Sequence, residues 1–162
     1  MNIILNLQLL LLLMVANGAP VLARRLMGRR FAVPVDGGYR LADGYPLFGL
    51  SKTWRGLIAA VILTAVAAYG LGFDYRHGAW FGILAMAGDL LSSFIKRRLG
   101  YPPSSRASGL DQIPESLLPL LGLAGAWQLG VIDILLVVVL FLVVSLILSR
   151  LLYVIGVRRQ PY

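Results

Sequence analysis

Five long apolar runs govern what this chain can fold into. They cover residues 3–22, 57–73, 79–95, 114–130 and 132–156, and the stretch 134–148 is broken only by Ser145. Each run approaches the ~20 residues an apolar helix needs to cross a bilayer. Of the 162 residues, 59% are hydrophobic and 14% are charged, with a mean hydropathy of +0.81. A soluble domain of this size could not bury that much apolar surface. The expected fold is therefore an all-α integral membrane protein, a single bundle of about five transmembrane helices with polar loops near residues 23–56 and 96–113.

The charges set an orientation. Loop 23–56 holds seven Lys/Arg, loop 96–113 holds four, the C-terminal region holds Arg150, Arg158 and Arg159, and the opposite side holds only Arg76. The positive-inside bias then predicts an outside N-terminus, a cytoplasmic C-terminus and loops facing the cytoplasm of a cell-membrane protein. The first run is not expected to be a signal peptide. No Lys or Arg precedes it, whereas Arg24, Arg25, Arg29 and Arg30 follow it.

Composition also narrows the chemistry. The chain has no cysteine and one histidine, His77. Disulfides, thiolate metal sites and histidine dyads are thereby excluded or disfavoured. The net charge of +8 suits anionic headgroups or an anionic substrate. Nucleic acid is not an expected partner, because no basic soluble module is present to carry it. A homo-oligomer is compatible with the sequence.

The informative residues lie at the basic side. Asp89 interrupts the third apolar run, and an ionised group there should face the bundle interior or water. Ser92, Ser93 and Lys96 follow at i+3, i+4 and i+7, on the same helix face. A structural contact between helices would also explain that stripe. Lys96, Arg97 and Arg98 close the run, where cations are favourable at a helix C-terminus in any case. Asp111 precedes the fourth run and Glu115 falls in its first turn, a position that stabilises acidic groups generally. Asp89 and Asp111, with phosphate oxygens and water, form a candidate Mg²⁺ site. In the first loop, Gly49 permits close backbone approach, and Ser51, Lys52, Thr53 and Arg55 offer donors at a helix start, where anions bind. The spacing is not that of a Walker loop. Asn17, in the first run, either bonds across helices or lines the same pocket.

Together these segments resemble the CDP-archaeol synthase family, relatives of the bacterial CDP-diglyceride synthetases. The resemblance rests on Asn17-Gly18-Ala19-Pro20, on Asp43-Gly44 with Pro46-Leu47-Phe48-Gly49, and on Ser51-Lys52-Thr53-Trp54-Arg55-Gly56. It rests further on the stretch from Gly88-Asp89 through Ser92-Ser93-Phe94-Ile95-Lys96-Arg97-Arg98, and on Asp111-Gln112. It implies a cytidylyltransferase that joins CTP to a membrane lipid phosphate, giving a CDP-lipid and pyrophosphate with Mg²⁺ as cofactor. Asp89, Lys96 and Asp111 would be catalytic. Asn17, Gly49, Ser51, Lys52, Thr53, Arg55, Ser93, Arg97 and Arg98 would bind nucleotide. Asp89 and Asp111 would hold the metal, with Glu115 as a third candidate. The family's Asp-Gln-Leu/Ile-Asp string departs here, with Pro114 at its fourth position and Glu115 one residue later. The alternatives from residue pattern alone are a non-catalytic membrane scaffold and a small transporter. A CDP-alcohol phosphotransferase is disfavoured, because neither Asp36-Gly37 nor Asp43-Gly44 continues into that family's pattern.

Overall fold

The computed structural model describes residues 2–102 and 109–154. They form five helices, α1 (Ile3–Met27), α2 (Trp54–Gly70), α3 (Tyr75–Arg98), α4 (Gln112–Gly122) and α5 (Val131–Val154). Among the described residues there is no strand beyond isolated antiparallel bridges at Pro34–Thr53 and Arg40–Pro46. The helices α1, α3 and α5 are long and apolar enough to cross a membrane, and α2 is a shorter apolar helix of 17 residues.

The inside-out distribution of side chains identifies the solvent. Leu9, Leu12, Leu13, Phe81, Leu120, Val137 and Phe141 are fully buried between helices. Ile58, Ile62 and Val66 on α2, and Leu135, Val139 and Ile147 on α5, point outward. Rows of exposed aliphatic residues along every long helix are at home only against lipid. The chain is a multi-pass membrane protein.

Small residues let the helices approach. A Cβ added to Gly78 would fall 2.4 Å from the Ala68 Cβ and 2.9 Å from the Ala65 Cα, and one on Gly82 would fall 2.9 Å from the Val61 Cα. These contacts clamp α3 to α2. At Gly88 the partner is α4, where an added Cβ would lie 2.2 Å from the Pro114 carbonyl oxygen and 2.6 Å from the Glu115 Cα. Without a hydrophobic drive between helices in lipid, such backbone proximity is the main source of packing energy.

The fourth pass departs from the helix expected over 114–130. The helix stops at Gly122 after 11 residues, about 16 Å of rise against a hydrocarbon core of ~30 Å. A run of turns follows, held by bonds such as Trp127 N–H to Leu123 O and Leu129 N–H to Ala124 O, with Gln128 at φ 51°. That run still completes the crossing. Glu115 lies in the first turn of α4 beside Gly88, and Trp127 packs against Phe73, just before α3, and Phe81 in its first half, with ring centroids 5.1 and 5.8 Å away. Turn bonds satisfy part of the run's backbone internally, while Gly125, Ala126, Gln128 and Gly130 along it stay exposed. The far end is closed by Asn6 of α1, which donates to the Asp133 carboxylate of α5 at 2.9 Å.

The opposite end carries the loop 28–53. Gly28, at φ 57°, ends α1 and returns its N–H to the Arg24 carbonyl. Asp36 organises the middle of the loop. Its carboxylate accepts from the N–H groups of Gly38, Phe48 and Gly49, at 3.0, 2.9 and 2.8 Å. Burial alone would raise the Asp36 carboxyl, but these backbone donors together hold it below its ordinary 3.8.

Two outcomes are expected. Gly88→Ala should lower the thermal midpoint of the detergent-solubilised protein, by the ~1–3 kcal/mol typical of overpacking. Gly125→Ala, where no atom lies within 4 Å of the new Cβ, should leave it unchanged. A depressed carboxyl contributes order that is complete above its unfolded value and lost as pH falls through the lower folded one. Amide exchange at Phe48 and Gly49, corrected for intrinsic rate, should therefore stay slow at pH 5 and accelerate below the folded value. Asp36→Asn should accelerate it at all pH values, by about tenfold.

Candidate active site

The loop-bearing end of the bundle is where α1 and α3 finish and α2 and α4 begin. Its packing follows from Gly56, whose missing side chain admits Pro20 of α1, with the Pro20 Cβ 3.2 Å from where a Cβ would stand. Loop 28–53 folds back over this junction. Val35 N–H bonds the Lys52 carbonyl at 2.8 Å and Trp54 N–H bonds Val33 O at 3.0 Å. Arg55 donates to the carbonyls of Gly28 and Arg30, tying the start of α2 to the end of α1. Between these walls opens a cavity of about 390 Å³. Its lining includes Pro20, Arg24 and Arg29 on the α1 side, Ser51, Lys52, Thr53 and Arg55 around the start of α2, and Met86 and Asp89 on α3.

Two ion pairs organise the charges. Lys52 Nζ sits 2.6 Å from both Asp89 oxygens, and each side chain is 22% exposed. Lys96 Nζ lies 2.5 Å from Asp111 Oδ1. Glu115 is buried and interacts electrostatically with all four of those groups. Two lysines and three carboxylates thus share one region, drawn from a loop, α3, the entry to α4 and its first turn. Ser92 donates to the Asp89 carbonyl at 2.9 Å, and Ser93 is buried beside it in the chain. Arg97 is 2% exposed, and its Nε and Nη1 have no acceptor among the described residues. A buried guanidinium with donors left over is costly unless an anion completes it.

The sequence expectations sort into three groups. Asp89, Lys52, Lys96, Asp111 and Glu115 come together, and Ser51, Thr53 and Arg55 line the adjoining cavity. The acidic residue displaced by Pro114 therefore still reaches the cluster, because Pro114 packs its carbonyl on Gly88 and Glu115 follows it inward. Asn17 is half-buried one turn before Pro20, outside the cavity lining, and Gly49 (φ 99°) gives its N–H to Asp36 rather than offering it to the cavity. Arg98 is held differently. It is engaged by the Asp43 carboxylate and the Pro46 carbonyl (2.7 Å), contacts that anchor the loop. At 100° per residue, neighbours in the Lys96-Arg97-Arg98 cluster must face different surroundings. Part of the second loop, residues 103–108, lies outside the described residues. Arg24 and Arg29 are cavity residues that sequence reasoning assigned only to topology. The one available signal was their position just after Pro20.

Known proteins resemble this chain in sequence and in fold. A family model described as CarS-like, CDP-archaeol synthase, matches residues 73–162. The CDP-archaeol synthase of Hyperthermus butylicus is 40% identical over 104 residues, a match that spans 60% of this chain and 59% of that protein's length. That of Pyrobaculum aerophilum is 31% identical over 153 residues, covering 91% of this chain and 92% of that one. A solved structure of an intramembrane enzyme for archaeal membrane lipids biosynthesis superposes with a TM-score of 0.77 at 31% identity, over 91% of this chain and 94% of that one. By its matched region, its relatives and its architecture, the chain belongs to the CDP-archaeol synthase family.

Proposed function

We propose that the protein transfers the cytidylyl group of CTP to a membrane lipid phosphate, forming a CDP-lipid and releasing pyrophosphate. The observation that carries this is the meeting of Lys52–Asp89 and Lys96–Asp111 beside a basic cavity at the end of a lipid-facing bundle. Family membership supports the same reaction. A scaffold or a transporter would not need paired lysines and carboxylates at this end.

In this reading the triphosphate lies against Lys52, Lys96 and Arg97, with the unsatisfied Arg97 donors completed by a phosphate oxygen. A non-bridging oxygen of the lipid phosphate attacks the α-phosphorus in line. The new P–O bond forms as the bond to the β-phosphate oxygen breaks, and that electron pair leaves with pyrophosphate. The lipid phosphate is already ionised, so no strong general base is required. The side chains position the reactants and neutralise charge, which is how phosphoryl-type transfers are mainly accelerated.

Mg²⁺ is the cofactor in this reading. Among the described residues no three acidic or histidine groups stand together at metal-binding distances. Mg²⁺ does not need that, since one or two carboxylates plus substrate phosphates complete its shell. The donor set fits. The Lys52 ammonium sits 2.6 Å from both Asp89 oxygens, so that carboxylate already accommodates a positive charge. Asp89 and Asp111 would hold the ion, with Glu115 close behind, and it would bring charge neutralisation to the triphosphate. In this reading the site end and the C-terminus face the cytoplasm, where CTP is found, and the positive-inside bias supports that orientation.

The purified chain with CTP, Mg²⁺ and a panel of lipid phosphates should yield CDP-lipid, and EDTA should abolish the product. Asp89→Asn should lower kcat at least ~100-fold, as loss of one preorganised charge does, with the fold retained by circular dichroism. Failure to form CDP-lipid from any substrate would overturn the enzyme reading. Undiminished turnover by the variant would overturn only the role of Asp89.

A further inference from the structure

The cavity wall on the α1 side carries two cations that the account of CTP does not use. Arg24 sits in the last turn of α1 and Arg29 on the turn just past it, and both line the cavity. Their backbone is held from two directions. Gly28 returns its N–H to the Arg24 carbonyl, and Arg55 grips the carbonyls on either side of Arg29.

Neither guanidinium has a carboxylate partner among the described residues, and the seven carboxylates of the chain explain why. Asp89, Asp111 and Asp43 are paired with Lys52, Lys96 and Arg98. Asp36 is taken by three loop N–H groups. Glu115 is buried at the base of α4, and Asp74 and Asp133 lie at the far end of the bundle. Helix-dipole stabilisation would account for a cation on this turn, but it acts equally on Arg25, which does not line the cavity.

The surroundings define the anion. Leu22, Leu26 and Met27 flank Arg24 along α1 and are 47%, 76% and 45% exposed, and Leu50, on the loop wall of the same cavity, is 71% exposed. A polar pocket mouth bordered by lipid-facing side chains suits an amphiphile, with an anionic head inside and chains outside. Lys96 and Arg97 by contrast form no part of this cavity's lining, and Lys52, which does, has its ammonium turned to Asp89 of α3. We infer that Arg24 and Arg29 form the acceptor subsite, holding the phosphate monoester of the lipid while its chains lie along the exposed end of α1. Two guanidiniums carried on a held stretch of backbone match a dianionic phosphate. The inference rests on the cytidylyl-transfer reading for its kinetic test, though not for its binding test.

The experiment uses the full chain, in detergent and in liposomes. Binding of a short-chain lipid phosphate monoester is measured by calorimetry without nucleotide, beside glycerol phosphate and the matching lipid alcohol. Arg24→Gln with Arg29→Gln should weaken lipid phosphate binding at least about tenfold, the scale of lost charge-assisted hydrogen bonds. CTP binding should change less than about twofold, which the same scale distinguishes. In turnover the double variant should raise KM for the lipid phosphate and leave KM for CTP unmoved. Arg25→Gln should match wild type, and Arg24→Lys with Arg29→Lys should recover part of the loss. Weakened CTP binding with intact lipid binding would assign these residues to the triphosphate and overturn the inference. Glycerol phosphate binding as tightly as the lipid would overturn the lipid subsite in favour of a free-phosphate site. Absence of turnover in wild type alongside the expected binding pattern would count against the reaction but not against the subsite.

Discussion

The site depends on the closeness of α3 and α4 at Gly88. Only a residue without a Cβ lets the Pro114 carbonyl and the Glu115 backbone rest on α3 at that level. The contact fixes Asp89, the next residue along α3, at the same height as Glu115. It also brings the entry to α4 within reach of Lys96, so that Asp111 can pair with it. Were the two helices a residue's width further apart, the carboxylates would belong to separate surfaces.

The resulting cluster is electrostatically balanced in a way that favours exchange. Ion pairs partly removed from water recover little net energy, because desolvation offsets much of their attraction. Such pairs can trade partners at small cost when a more highly charged species arrives. Lys52 is held by its backbone in the Pro34–Thr53 bridge while its ammonium rests on Asp89. The side chain can therefore turn to a phosphate without the loop unfolding. Arg98 and Asp36 have the opposite task. Both engage backbone groups of the loop from several directions and keep its shape fixed.

Much of this was legible in the sequence because lipid simplifies the rules. Apolar runs had to be helices, and α1, α2, α3 and α5 appear within a few residues of where the runs lie. The Asp89–Ser92–Ser93–Lys96 stripe followed from helical periodicity. The end of α4 did not. Residues 117–129 are nearly all apolar, and composition cannot tell a helix from turns pinned by Trp127 packing on Phe73 and Phe81. Pairings such as Lys52 with Asp89, 37 residues apart, depend on helix order and depth. Arg24 and Arg29 were read as topology charges for the same reason. Only the close contact of Pro20 with Gly56 turns the end of α1 into a wall of the cavity.

The proposed reaction makes one chemical statement, that the bond broken lies between the α- and β-phosphates of CTP. The most direct measurement follows the label. Liposomes containing the purified chain and a lipid phosphate are supplied with CTP labelled at either the α- or the γ-phosphorus. The account predicts the α-label in the lipid fraction and the γ-label in pyrophosphate. Appearance of the γ-label in lipid, or release of the α-label as CMP with none in lipid, would contradict it.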